Sequence, residues 1–316
     1  MSNNETQIKI NVLELCQENK FEVVNQDSIK TWSNIQRPAI NRAGLELKGY
    51  FYRENSISKN IIGWGTSESN WMLSISKQER ESALDTLICK KPPLIICSSG
   101  VSEENRKIVI KIATKYEVPV VLLDIPLSSL TTTIGVYLAE KFAQTEFVHG
   151  SLIIINGIGV MIIGASGIGK SEVILELIQK EYIFVSDDAI FIKRIGNNFI
   201  GYSPEITKDI LEARGLGLLD IRTIYGDRAI RAKTNIDLVV ELIHSKDIID
   251  FDRIGDKNLS YSILGGKISK MSIPVKAGRS ASSLVVAAAN LLISKQSGID
   301  VLKLIEERSM ADGKLK

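Results

Sequence analysis

The residues best equipped for chemistry lie in one short stretch. Positions 164–171 read G-A-S-G-I-G-K-S and match the pattern G-x-x-x-x-G-K-S/T. Gly164, Gly167 and Gly169 admit backbone conformations that a Cβ would block, so successive N–H groups can converge on phosphate oxygens. Lys170 carries a cation long enough to reach the β/γ-phosphates. The Ser171 hydroxyl, at a helix N-terminus where the dipole favours anions, can ligate Mg²⁺. Gly164, Ala165, Ser166, Gly167, Ile168, Gly169, Lys170 and Ser171 are therefore the expected nucleotide cradle. Two carboxylates, Asp187 and Asp188, follow an apolar run that ends at Ser186. Carboxylates at a strand end close to such a cradle serve the metal or the attacking group.

The cradle needs a strand before it and a helix after it, and the sequence provides both. Val160, Met161, Ile162 and Ile163 form a short apolar run suited to a strand buried on both faces. Val173, Ile174, Leu177 and Ile178 recur at helical spacing over residues 172–180. Residues 152–155 and 160–163 are joined by Asn156-Gly157-Ile158-Gly159, which reads as a hairpin leading into the cradle. Residues 183–185 read as a further buried strand. The run over residues 284–294, rich in alanine and aliphatics, reads as a helix packed in the core or at a subunit interface.

Upstream, the pattern is that of an α/β domain. Residues 7–16 and 21–24 read as short elements, and strands are expected over residues 45–52, 61–64, 94–97 and 118–123. Helices are expected over residues 76–87 and 103–116, so the order strand, helix, strand implies parallel pairing with a crossover. Small polar residues over 126–133 break the apolar pattern before a helix at 134–142. That break divides the chain into an N-terminal α/β domain, residues 1–132, and a C-terminal P-loop domain, residues 133–316.

Composition narrows the class. A chain of 316 residues can hold two domains, and 44% hydrophobic with 24% charged residues is ordinary for a globular protein. A net charge of +2 gives no support to a nucleic-acid partner. No run reaches bilayer-spanning length and the N-terminus has no basic region leading into an apolar stretch, so no membrane partner and a cytoplasmic location are expected. Cys16, Cys89 and Cys97 lack metal-ligand spacing and read as reduced structural thiols. No Asn-Lys-x-Asp follows the cradle, which disfavours a GTPase.

Several ordered motifs together resemble one family, the bacterial HPr kinase/phosphorylases. They are VHGSLIIINGIGVMIIGASGIGKSE, FVSDDAIFI, LEARGLGLLDI, DRIG and IPVKAGRS, spanning nearly the whole second domain. QRPAINRAGLELKGYFY and its spacing to residues 61–64 resemble the family's N-terminal domain more weakly. The resemblance implies a kinase domain similar in its P-loop core to phosphoenolpyruvate carboxykinase. It implies ATP-dependent phosphorylation of a serine on HPr, the phosphocarrier protein of the sugar phosphotransferase system. Phosphorolysis of the phosphoserine form, consuming phosphate and releasing pyrophosphate, is implied too, as is a homohexamer.

Carried over by position, the resemblance gives His149 a catalytic role near the phosphates, Lys170 and Ser171 their nucleotide and Mg²⁺ roles, and Asp188 the acid/base role. It makes Glu212 a second Mg²⁺ ligand and Arg253 a support for phosphoryl transfer. A carboxylate fits the acid/base task because a serine hydroxyl is a poor nucleophile, and the acid so formed can return its proton in the reverse direction. Residues 274–279, PVKAGR, match a segment tied to dephosphorylation, with Ala277 where the family often has proline. Rival readings are another P-loop phosphotransferase or ATPase acting on a small molecule, and a nucleotide-binding module without turnover.

Overall fold

The computed structural model describes residues 9–51, 57–244, 259–275, 281–298 and 308. The chain divides into two compact units, residues 1–142 and 143–316. Helix Leu127–Lys141 runs unbroken through the 132/133 division expected from sequence. Thr131, Thr132 and Thr133, which read as a polar break, instead return their hydroxyls to carbonyls three or four residues back, so the helix accommodates them.

The first unit is a three-layer α/β arrangement. Ile40–Asn41, Ile61–Trp64, Ile95–Cys97 and Val120–Leu122 form a four-stranded parallel sheet in that order. Alternate strand residues face opposite ways. Ile62, Trp64, Ile95, Cys97 and Val120 meet Met72, Leu84, Ile88, Val109 and Ile112 from three helices. Ile61, Ile96 and Val121 meet Leu15, Leu130, Ile134 and Leu138 from Val12–Glu18 and Leu127–Lys141. The parallel pairing expected from the element order is present. The strand expected over residues 45–52 is not: Gly44–Leu47 is a helical turn. Asn41 fixes its start by accepting from Ala43 N–H and donating to Glu46, and the turn closes at Gly49, whose N–H reaches Glu46 O. Local capping outweighs the apolar alternation there.

The second unit centres on a six-stranded mixed sheet, in the order Ile183–Ser186, Ser151–Ile155, Ile158–Gly164, Leu238–His244, Gly266–Val275, Leu259–Ile263. The hairpin before the cradle turns at Asn156 and Asn156's neighbour Gly157, with φ of 51° and 85°, as a two-residue turn matching strand twist requires. Val160 and Ile162 face a core formed with helices Lys170–Gln179 and Ser282–Gln296. Met161 faces a second core against the sheet Thr145–His149, Ala189–Ile195, Asn198–Tyr202 and Lys233–Asn235. The cradle strand is thus buried on both faces, which fixes the height at which Gly164 emerges. Among the described residues no helix is long and apolar enough to cross a membrane.

Candidate functional site

The cradle lies between strand Ile158–Gly164 and helix Lys170–Gln179. Gly164 has φ of 151°, and a Cβ there would lie 2.7 Å from Leu242 O on the adjacent strand, so only glycine lets the chain leave the sheet at this point. Ile168 is buried in the core below and pins the loop, while Ala165, Ser166 and Gly167 remain exposed at its mouth. Lys170 Nζ donates to Gly164 O at 3.1 Å and Ala165 O at 3.3 Å, holding the ammonium across the loop.

Beneath the helix N-terminus, strand Ile183–Ser186 ends and the chain bends. Asp187 is 3% exposed. Its Oδ2 accepts from Ser171 Oγ at 2.8 Å and its Oδ1 from Ser151 Oγ at 2.6 Å. Burial raises its carboxyl above the usual range, opposed by those two hydroxyls and by the N–H groups of Asp188 and Glu212. Asp188 takes φ of 63°, which aspartate tolerates, and its side chain is exposed. The strand geometry that would send the two carboxylates to opposite faces ends at Ser186, and the bend separates them instead.

His149 ends the edge strand Thr145–His149, opposite Ala189. Its Nδ1 lies 3.3 Å from Asp188 O, and Phe147 packs edge-on against its ring with centroids 4.9 Å apart. Glu212 lies on strand Ile210–Ala213 with its side chain exposed, and it reaches the site through its N–H to Asp187. Two residues on, Arg214 lays its guanidinium against the cradle: a Cβ on Gly167 would be 2.9 Å from Nη2. Lys170, Ser171, Asp188, His149 and Glu212 are thereby gathered around one loop. Arg253 and residues 276–279 lie outside the described residues.

Ser151 and Arg214 have no role in the sequence reading, in which Asp187 and Asp188 are both carboxylates at a strand end and only Asp188 takes the acid/base task. Arg214 sits inside the quoted LEARGLG segment, a signal that was available. Ser151 opens the apolar run SLIII, and nothing local ties it to a carboxylate 36 positions away.

Whether these residues suit Mg²⁺ follows from their donors. A hydroxyl and a carboxylate are hard oxygen ligands of the kind Mg²⁺ takes together with waters and phosphate oxygens. Among the described residues, the hydrogen bonds to the buried carboxylate of Asp187 come from hydroxyls and N–H groups rather than a cation, an arrangement that a divalent ion beside Ser171 would complete. The set fits.

The two units coincide with two family models. "HPr Serine kinase N terminus" matches residues 10–138 and "HPr Serine kinase C-terminal domain" matches residues 140–309. An HPr kinase/phosphorylase of Mycoplasmopsis pulmonis is 40% identical over 306 residues, covering 96% of this chain and 99% of that protein. One of Clostridium perfringens is 34% identical over 272 residues, covering 86% and 87%. The solved HPr(Ser) kinase/phosphatase of Coxiella burnetii aligns over 48% of this chain and 99% of its own, at 25% identity with a TM-score of 0.45. With both units matched in order and a relative this similar along almost its whole length, the chain belongs to the HPr serine kinase family.

Proposed function

We propose that this protein transfers the γ-phosphoryl group of ATP to a serine of HPr and catalyses phosphorolysis of the phosphoserine product. The observation that supports the chemical assignment is the contrast in burial between adjacent carboxylates. Asp187 is buried on the Ser171 hydroxyl, while Asp188 is exposed beside His149. A bound Mg²⁺, held by Ser171 and Asp187 with Glu212 as a second contributor, would neutralise charge on the β- and γ-phosphates.

In the forward direction Asp188 accepts the proton of the serine hydroxyl as its oxygen attacks the γ-phosphorus. The new P–O bond forms, the bond to the β-phosphate oxygen breaks, and ADP leaves. Lys170 leaves its contacts on Gly164 and Ala165 to pair with the phosphates, Arg214 adds positive charge at the cradle's mouth, and Arg253 takes its supporting role in the transfer from the resemblance alone. His149 stands at the acceptor side, beside Asp188. In reverse, an oxygen of inorganic phosphate attacks the phosphoserine phosphorus, the bond to the seryl oxygen breaks, Asp188 returns the proton to it, and pyrophosphate is released.

A cytoplasmic location and a homohexamer go with this reading, the latter from the resemblance. Incubation with γ-labelled ATP and purified HPr tests it: label should enter a serine of HPr. Hydrolysis of ATP with HPr unlabelled would contradict it.

A further inference from the structure

We infer that Ser151 is a positioning residue for the metal–nucleotide site: it fixes the buried oxygen of Asp187 so that the other faces Ser171 and the cation. The hydroxyl is 0% exposed, on a strand whose following four residues are aliphatic. Burying a hydroxyl in such a layer is unfavourable unless it finds a partner, and the partner here is a carboxylate at 2.6 Å, the short distance of a charge-assisted bond. Each carboxylate oxygen therefore has its own serine donor, Ser151 on Oδ1 and Ser171 on Oδ2.

The two donors differ in what they can do next. Ser171 belongs to the first turn of the cradle helix and is partly exposed, so a cation can claim its oxygen. Ser151 is sealed between strand Ile158–Gly164, where it pairs with Ile162, and the bend at Asp187, so its bond stays in place when Ser171 exchanges partners. Outer partners of metal-binding carboxylates act in this way, setting the ligand's direction before the metal arrives. Gly150 lets the strand come this close, since a Cβ there would lie 2.7 Å from Ile162 O.

The inference rests on reading the cradle as a metal–nucleotide site, and the test separates the two. Mn²⁺ binding to the full-length protein with a non-hydrolysable ATP analogue is followed by electron paramagnetic resonance, alongside analogue binding without metal. Failure of the parent protein to bind Mn²⁺ with the analogue would overturn the site reading, and this inference with it. Given parent binding, Ser151→Ala should weaken Mn²⁺ by about tenfold or more, leave metal-free analogue binding unchanged, and add nothing in an Asp187→Asn background. Full Mn²⁺ affinity in Ser151→Ala, an equal loss without metal, or an undiminished effect in the Asp187→Asn background would overturn the inference while leaving the site reading intact. Should the alanine variant not fold, Ser151→Thr and Ser151→Val carry the test. Threonine keeps the hydroxyl and should keep the affinity, and equal affinity in the two variants would count against Ser151.

Discussion

The hydroxyl of Ser171 lies 2.8 Å from Oδ2 of Asp187, joining the first turn of the cradle helix to the end of strand Ile183–Ser186. That bond is the ground for proposing Asp187 on the cation side of the site. Asp188 has a left-handed backbone and an exposed side chain, which is why the proposed mechanism gives it the proton.

Exchanging each carboxylate for its amide should separate the two roles. Asp188→Asn removes the proton acceptor while keeping shape, so phosphorylation of HPr should fall on the order of a hundredfold or more with Mg²⁺–nucleotide affinity retained. Phosphorolysis should fall in parallel, because the same group returns the proton. Asp187→Asn should instead weaken the metal–nucleotide complex itself. Titration calorimetry with an ATP analogue and initial rates in both directions check this. Retained transfer in Asp188→Asn would remove it from the proton path.

Lys170→Ala should reduce both directions by at least about a hundredfold without unfolding the protein, since the ammonium rests on carbonyls of the cradle loop and not in the core. Rates of labelling and phosphorolysis, with thermal melting as the control, measure it. A variant that still labels HPr at the parent rate would exclude the lysine from the mechanism.

Much of this site was legible because its parts are contiguous. The cradle, its strand and its helix occupy residues 158–179 without interruption, and Asn156-Gly157 announced the preceding turn. What escaped depends on distance or on local competition. Ser151 meets Asp187 only because two antiparallel strands bring their ends together. Residues 45–47 alternate like a strand, yet Asn41 caps them into a helical turn, and the threonines at 131–133 look like a loop until their hydroxyls find the helix carbonyls. Periodicity says nothing of such side-chain bonds.

Thiol labelling probes the first unit. Burial pushes Cys16 up to about 11 and Cys97 up to about 12, from an ordinary 9.0, whereas Cys89 is exposed. Native protein at mildly alkaline pH should therefore be alkylated at Cys89 alone, with Cys16 and Cys97 reacting only after denaturation. Because both folded values are raised, the unfolded chain ionises these thiols first. Their contribution is whole below pH 9.0 and falls as pH climbs toward 11 and 12. Mass spectrometry of the alkylated peptides, with and without denaturant, reads the outcome.

Phe184 is 0% exposed in the core beneath the cradle helix. Phe184→Ala should destabilise the second unit by about 3–5 kcal/mol, seen as a lower denaturant midpoint, because an aromatic ring is removed from a layer that cannot fully collapse. Midpoints equal to the parent's would show that this core is not what holds the cradle.

In the proposed mechanism, transfer between ATP and a serine of HPr runs in both directions at this one cradle. Its most direct measurement follows label from γ-labelled ATP into purified HPr, with the labelled residue identified by peptide mapping. Inorganic phosphate is then added to the isolated phosphoprotein. The expected result is serine-bound label that inorganic phosphate releases as labelled pyrophosphate, with neither step occurring in Lys170→Ala. Turnover of ATP with a small-molecule acceptor, or with water, while HPr stays unlabelled would contradict the account.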